Sequence, residues 1–173
     1  QRKIRVPRGW DGSRISLYFS SATHDAQVWV NGIDVGSHQG GYLPFDLDVT
    51  DHVQAGDEIV VTVRVNNVLT FETIPPGVTE GGRQRYFHDF FNYSGIHRSV
   101  KLLSQPKTHL DDVTVTTGID GTTGTISAVF EVAGDAADSA TVKASVCDAE
   151  GNEVASATAT DGKADFTIEN ATF

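Results

Sequence analysis

Methionine is absent from this sequence, and cysteine occurs once, at Cys147. A lone thiol closes no internal disulfide and excludes a cysteine-based zinc site. Long apolar runs are also missing, and no stretch nears the ~18 residues that a membrane helix needs. Basic residues are scarce: 13 Lys and Arg stand against 23 Asp and Glu, a formal net charge of −10. A nucleic-acid backbone is held by a basic face, so neither nucleic acid nor membrane is an expected partner. No phosphate-binding loop, nucleophile elbow or dinucleotide fingerprint is present, and no cofactor is expected. What remains is globular in composition, 39% hydrophobic and 21% charged.

The charge is not spread evenly. Residues 1–105 hold 10 basic and 11 acidic side chains, whereas 106–173 hold 3 and 12. Of the 15 aromatic residues, 12 lie in the first part. Pro106 follows the strand-like Ser99-Val100-Lys101-Leu102-Leu103, so Ser104-Gln105-Pro106-Lys107 reads as a linker between domains 1–105 and 106–173.

The periodicity is that of strands. Ile15, Leu17 and Phe19 alternate with Arg14, Ser16 and Tyr18, the pattern of a half-buried strand. Asn31-Gly32 between Val28-Trp29-Val30 and Ile33-Asp34-Val35 predicts a tight hairpin, because both turn residues tolerate positive φ. Ile59, Val61, Val63 and Val65 line one face of a long strand. Beyond the linker, short β segments are separated by Gly118, Gly124, Gly134, Gly151 and Gly162. The expected class is all-β, with two successive β-sandwiches. The second is too short for a complete seven-strand sandwich of ~100 residues. With no Met and a start inside a strand-like pattern, the chain reads as an internal fragment.

Residues 66–98 do not read as strand and carry the chemistry. Tyr86-Phe87-His88-Asp89-Phe90-Phe91-Asn92-Tyr93-Ser94-Gly95-Ile96-His97-Arg98 interleaves rings with His, Asp, Asn and Arg. Rings pack on the C–H face of a pyranose, while carboxylates and amides take its hydroxyls. Two readings stand side by side for Phe87, Phe90 and Phe91: a sugar platform, or a plug for the sandwich end. His97 and Arg98 fit a structural loop role better. Asp89, with His88 beside it, is costly to bury among rings unless something binds it. His38-Gln39-Gly40-Gly41-Tyr42-Leu43-Pro44-Phe45 is a second polar-aromatic loop, read as a sharp turn. His88 and His97 lack a zinc-type spacing, so no metal is expected. Asn92-Tyr93-Ser94 and Asn170-Ala171-Thr172 match the loose N-glycosylation pattern.

The run from Tyr86 to Arg98 resembles the N-terminal region of β-glucuronidases, members of glycoside hydrolase family 2. The resemblance extends upstream through Thr73-Ile74-Pro75-Pro76-Gly77, Val65-Asn66-Asn67, the His38–Phe45 loop, Trp29-Val30-Asn31-Gly32 and Val6-Pro7-Arg8-Gly9-Trp10. It is dense over 1–105 and rests mainly on domain order over 106–173. It implies a jelly-roll sugar-binding domain, truncated at its N-terminus, followed by a C-terminally truncated immunoglobulin-like β-sandwich. In such enzymes a TIM barrel follows and supplies two catalytic glutamates. No barrel or Asn-Glu-Pro motif occurs here, so no catalytic residue is expected in the chain. By resemblance, Asp89 is the residue that reaches the sugar ring, and His88 is its candidate companion. Partners implied are a glucuronide, the enzyme's own barrel and further copies of the subunit. A free-standing carbohydrate-binding module or a structural interaction domain are the alternatives.

Overall fold

The computed structural model describes residues 1–87 and 91–171. The chain divides into two compact units, Gln1–Pro106 and Lys107–Phe173. Among the described residues every regular element besides three single-turn 3₁₀ helices is a strand, and the fold is all-β.

The described residues of the first unit form β1 (Arg2–Arg5), β2 (Arg14–Phe19), β3 (Asp25–Val30), β4 (Ile33–Gln39), β5 (Phe45–Asp48), β6 (Glu58–Asn66), β7 (Gly77–Glu80), β8 (Arg83–Tyr86) and β9 (Val100–Gln105). One sheet has the order β1-β6-β3-β4, a second β5-β2-β9, and β7 pairs with β8 alone. The alternation in β2 does what it predicts. Ile15, Leu17 and Phe19 point inward to meet Val28 and Val30 from β3 and Ile59 and Val61 from β6. Two sheets with their apolar faces together make a β-sandwich. Phe19 stacks on Phe45 with centroids 4.7 Å apart, which joins β2 and β5 on the core side. On the solvent side Arg14 ties the same sheet, at 3.3 Å from Asp46, 3.0 Å from Asp48 and 3.0 Å from Gln105.

The hairpin predicted at Asn31-Gly32 is present. Both residues have positive φ, 51° and 83°, and Val30 pairs with Ile33 across a two-residue turn. Between β6 and β9 the expectation of a strand-free segment is only partly met. Gly77–Glu80 and Arg83–Tyr86 form a short hairpin, in register from Gly77↔Tyr86 to Glu80↔Arg83. Its polar residues give no period-2 apolar signal. Its anchor is Leu69, which is buried: a Cβ on Gly77 would lie 2.8 Å from the Leu69 side chain and 2.6 Å from the Arg85 carbonyl oxygen.

The second unit contains β10 (His109–Asp120), β11 (Thr123–Ala133), β12 (Lys143–Cys147), β13 (Glu153–Thr158) and β14 (Lys163–Ile168). These form a sheet β10-β11-β14 and a pair β12-β13. Gly118 and Gly124 do not break strands as the sequence suggests. Gly118 pairs with Thr125 inside the β10–β11 ladder, and Gly124 pairs with both Ile119 and Ile168. A Cβ on Gly118 would stand 2.9 Å from the Thr125 hydroxyl, so close cross-strand approach accounts for that glycine. The buried residues here are few: Ala128, Ala164 and Phe166. The register puts Val113 and Val115 of β10 on the face of Ala128 and Phe166, yet both are exposed.

Candidate functional site

Polar and aromatic side chains of the first unit gather where the 20–24, 38–42, 66–76 and 91–99 segments meet. The alternation of β2 stops at Phe19, and Ser20-Ser21-Ala22-Thr23-His24 leads into β3. Small hydroxyl residues suit this stretch because their side chains satisfy nearby backbone and ring atoms. Ser20 N donates to Ser99 O at 3.0 Å and Thr23 N to Gly95 O at 3.0 Å, which docks the 91–99 segment along it.

His97 sits over this seam. Its Nε2 is 3.1 Å from Ser21 Oγ and its Nδ1 2.9 Å from Thr23 Oγ1. Ser21 Oγ donates to the Gly41 carbonyl, so it accepts from His97 Nε2–H. Burial holds the His97 imidazole below its ordinary pKa, and the neighbouring Arg98 charge and His24 push the same way. Tyr93 stacks on His97 at 5.1 Å, and Tyr42 meets His97 edge-on at 5.8 Å. Burial and the nearby Tyr93 raise the Tyr42 phenol, whose hydroxyl donates to the Phe91 carbonyl at 3.4 Å. His97 is thus a half-buried connector whose two ring nitrogens both meet hydroxyls of the 20–24 segment. His38 is stacked on Phe45 at 4.2 Å, and its Nε2 is buried without a hydrogen-bond partner.

A second network lies beside the first. His24, 2% exposed, places Nε2 2.7 Å from Asn92 Oδ1. Asn92 Nδ2 donates to the Asn67 carbonyl at 3.2 Å and to Gln84 Oε1 at 3.2 Å. Gln84 Oε1 also accepts from Leu69 N at 3.0 Å. Gly41 packs directly on the His24 ring. The Asn92 amide nitrogen is therefore engaged within the fold, which weighs against its reading as a glycan acceptor.

His88 and Asp89, the residues read as sugar-contacting, lie outside the described residues, as does Phe90. Their sequence neighbours Phe87 and Phe91 are described. Phe71 and Phe87 stack at 5.8 Å with planes 15° apart. Phe71 and Phe91 are each 74% exposed, and Ile74 is nearly as open. Rings on this scale facing solvent mark a binding or docking surface more often than chance exposure. Phe87 and Phe91 therefore do not plug the sandwich, whose core is filled by other residues. Arg83 and Arg85 stand exposed on β8. Arg98 lines a different recess, a groove of about 670 Å³ between β1 and β9 floored by Ile4, Leu17 and Val63.

His24, Gln84 and Asn92 were not singled out by the sequence as a set. The available signal was the break in alternation after Phe19 followed by hydroxyl residues and a histidine.

Comparison with known proteins now defines the class. Residues 1–106 match the model of the glycosyl hydrolases family 2 sugar binding domain, and the chain belongs to that family. Its relatives are β-glucuronidases. That of Paenibacillus borealis is 42% identical over 176 residues, covering 96% of this chain and 29% of its own length. Among solved structures, the Lactobacillus rhamnosus β-glucuronidase superposes with a TM-score of 0.89 at 38% identity, over 99% of this chain and 29% of that one. A β-glucuronidase from Ruminococcus gnavus in complex with D-glucuronic acid superposes with a TM-score of 0.89 at 31% identity, over 99% of this chain and 30% of its own. The chain spans under a third of the length of these relatives.

Proposed function

We propose that this chain is the non-catalytic, sugar-facing portion of a retaining β-glucuronidase. Its two units correspond to a jelly-roll domain over 1–105 and an immunoglobulin-like domain over 106–173. In a retaining glycosidase, two carboxyls about 5–5.5 Å apart act as acid/base and nucleophile. In this reading both reside in the part of the enzyme beyond this chain. Asp89 accepts from a hydroxyl of the glucuronate ring, with His88 beside it.

The observation that carries this reading is the exposure of Phe87 and Phe91, which flank the 88–90 segment in sequence, with Phe71 stacked on Phe87. Exposed rings next in sequence to a carboxylate and a histidine suit a sugar, whose C–H face packs on rings while its hydroxyls take polar groups. Exposed sheet edges at β1 and β9 favour association between chains, so the protein is taken to be a homo-oligomer.

The test is turnover of a chromogenic glucuronide by the isolated chain and by the full-length enzyme. The reading expects hydrolysis by the full-length enzyme alone. Turnover that copurifies with the isolated chain would contradict it, as would a full-length enzyme without glucuronidase activity. Tight glucuronide binding by the isolated chain would favour a free-standing carbohydrate module instead.

A further inference from the structure

We propose that the outward face of the β7–β8 hairpin, with the ring pair Phe71–Phe87 at its end, is a binding surface for an acidic oligosaccharide. The surface includes no residue of 88–90, and its ligand is separate from the hydroxyl contact proposed for Asp89.

The hydrogen bonds of the hairpin distinguish its two faces. Gln84 turns inward: its Oε1 accepts from Leu69 N at 3.0 Å and from Asn92 Nδ2 at 3.2 Å. Side chains alternate along a strand, so Arg83 and Arg85 turn outward, and both are exposed. The register sets Glu80 opposite Arg83 and Val78 opposite Arg85. Directly opposed residues share a face. Phe87 N donates to the Pro76 carbonyl at 3.4 Å, which carries the pairing one residue past Gly77↔Tyr86. Phe87 therefore continues the row of Arg83 and Arg85, and it is 56% exposed. Phe71 lies against it, with centroids 5.8 Å apart and planes 15° apart, and is itself 74% exposed.

Every second residue of a strand advances about 6.8 Å, so Arg83, Arg85 and Phe87 span about 14 Å. A row of that length suits an extended ligand better than a single ring. The nearly parallel rings offer apolar faces on which the C–H face of a pyranose packs. No ion pair among the described residues involves Arg83 or Arg85. Arg85 faces the uncharged Val78 and comes next to Phe87 in the row, so it is the group that reads an anion. Its planar fork of donors fits a carboxylate in bidentate fashion. Glu80, opposite Arg83, supplies an acceptor for hydroxyls. Rings, a guanidinium and a carboxylate in one row match the C–H faces, the acid groups and the hydroxyls of a chain of uronic acid units. A phosphate backbone asks instead for a basic face, and Glu80 interrupts this one.

The experiment is calorimetric titration of the full-length enzyme with two hexasaccharides, one of galacturonate and one of glucose. Galacturonate carries the acid group but is not the sugar proposed for the catalytic site. The galacturonate chain is expected to bind about tenfold more tightly than the glucose chain, with an affinity that falls as salt is raised. Arg85→Gln should remove that preference. Arg85→Lys, which keeps the charge but loses the fork, should restore part of it. Phe71→Ala should weaken the binding of both chains. Equal binding of the two hexasaccharides, binding of neither, or an unchanged preference in Arg85→Gln overturns the proposal. So does a change of oligomeric state in Arg85→Gln or Phe71→Ala by light scattering, which would make this face a protein contact.

Discussion

Asn92 and His24 lie 68 residues apart in sequence and 2.7 Å apart in the fold. That bond is one of several that join the 91–99 segment to the stretch leading into β3.

The tightness of this joint predicts what Gly41→Ala does. Its new Cβ would meet His24 Nδ1 at 2.4 Å, Thr23 Cγ2 at 3.0 Å and His24 Cε1 at 3.1 Å. The histidine is enclosed and cannot yield. Overpacking of this kind costs about 1–3 kcal/mol. A lower melting temperature is expected. An unchanged one would mean that His24 is not held as described.

Stability should depend on pH in two separate windows. The His97 imidazole is held below its ordinary value, first by burial and then by Arg98 and His24. The unfolded chain therefore takes up a proton on this residue more readily than the folded one. The stabilisation is complete above the ordinary histidine pKa of about 6.5 and declines as pH falls below it. For Asp48, burial raises the carboxyl, but the Thr50 hydroxyl and amide and then Arg14 outweigh it, and the net shift is downward. Its contribution is present above the ordinary carboxylate value and is lost at acid pH. Melting temperatures from pH 8 to pH 3 should fall in two steps, and His97→Gln should flatten the upper one. A single acid step unaffected by His97→Gln would contradict this.

Core and site aromatics should separate cleanly. Phe19 is fully buried and stacked on Phe45. Phe19→Ala opens a cavity and should cost about 3–5 kcal/mol. Phe71 is 74% exposed, so Phe71→Ala should change stability by no more than about 0.5 kcal/mol. Denaturant melts of the two variants decide it. Comparable losses would place Phe71 in a core and remove the aromatic wall from the account.

Much of this was legible in the residues because the relevant interactions are local. Ile15, Leu17 and Phe19 announce β2 by alternation alone. Asn31-Gly32 announces its hairpin because few other residues accept two positive φ angles in a row. The β7–β8 hairpin was not legible: Arg83-Gln84-Arg85 carries no apolar alternation, and its support comes from Leu69 and Gly77. Gly118 reads as a strand breaker, yet it sits in a ladder because Thr125 crowds it from the opposite strand. The loop chemistry was legible as residue types, whereas the His24–Asn92–Gln84 joint depends on which distant segments the sandwich brings together.

Kinetics of Asp89→Asn in the full-length enzyme test most directly the proposal that this chain contributes Asp89 to the sugar site of a β-glucuronidase. Asparagine keeps the shape and an accepting oxygen but loses the charge that strengthens a hydrogen bond to a sugar hydroxyl, a difference of about 1.5–3 kcal/mol. The account predicts a loss of about 10- to 100-fold in kcat/KM with an unchanged melting temperature. Full activity in Asp89→Asn, or a loss matched by a fall in melting temperature, would contradict it.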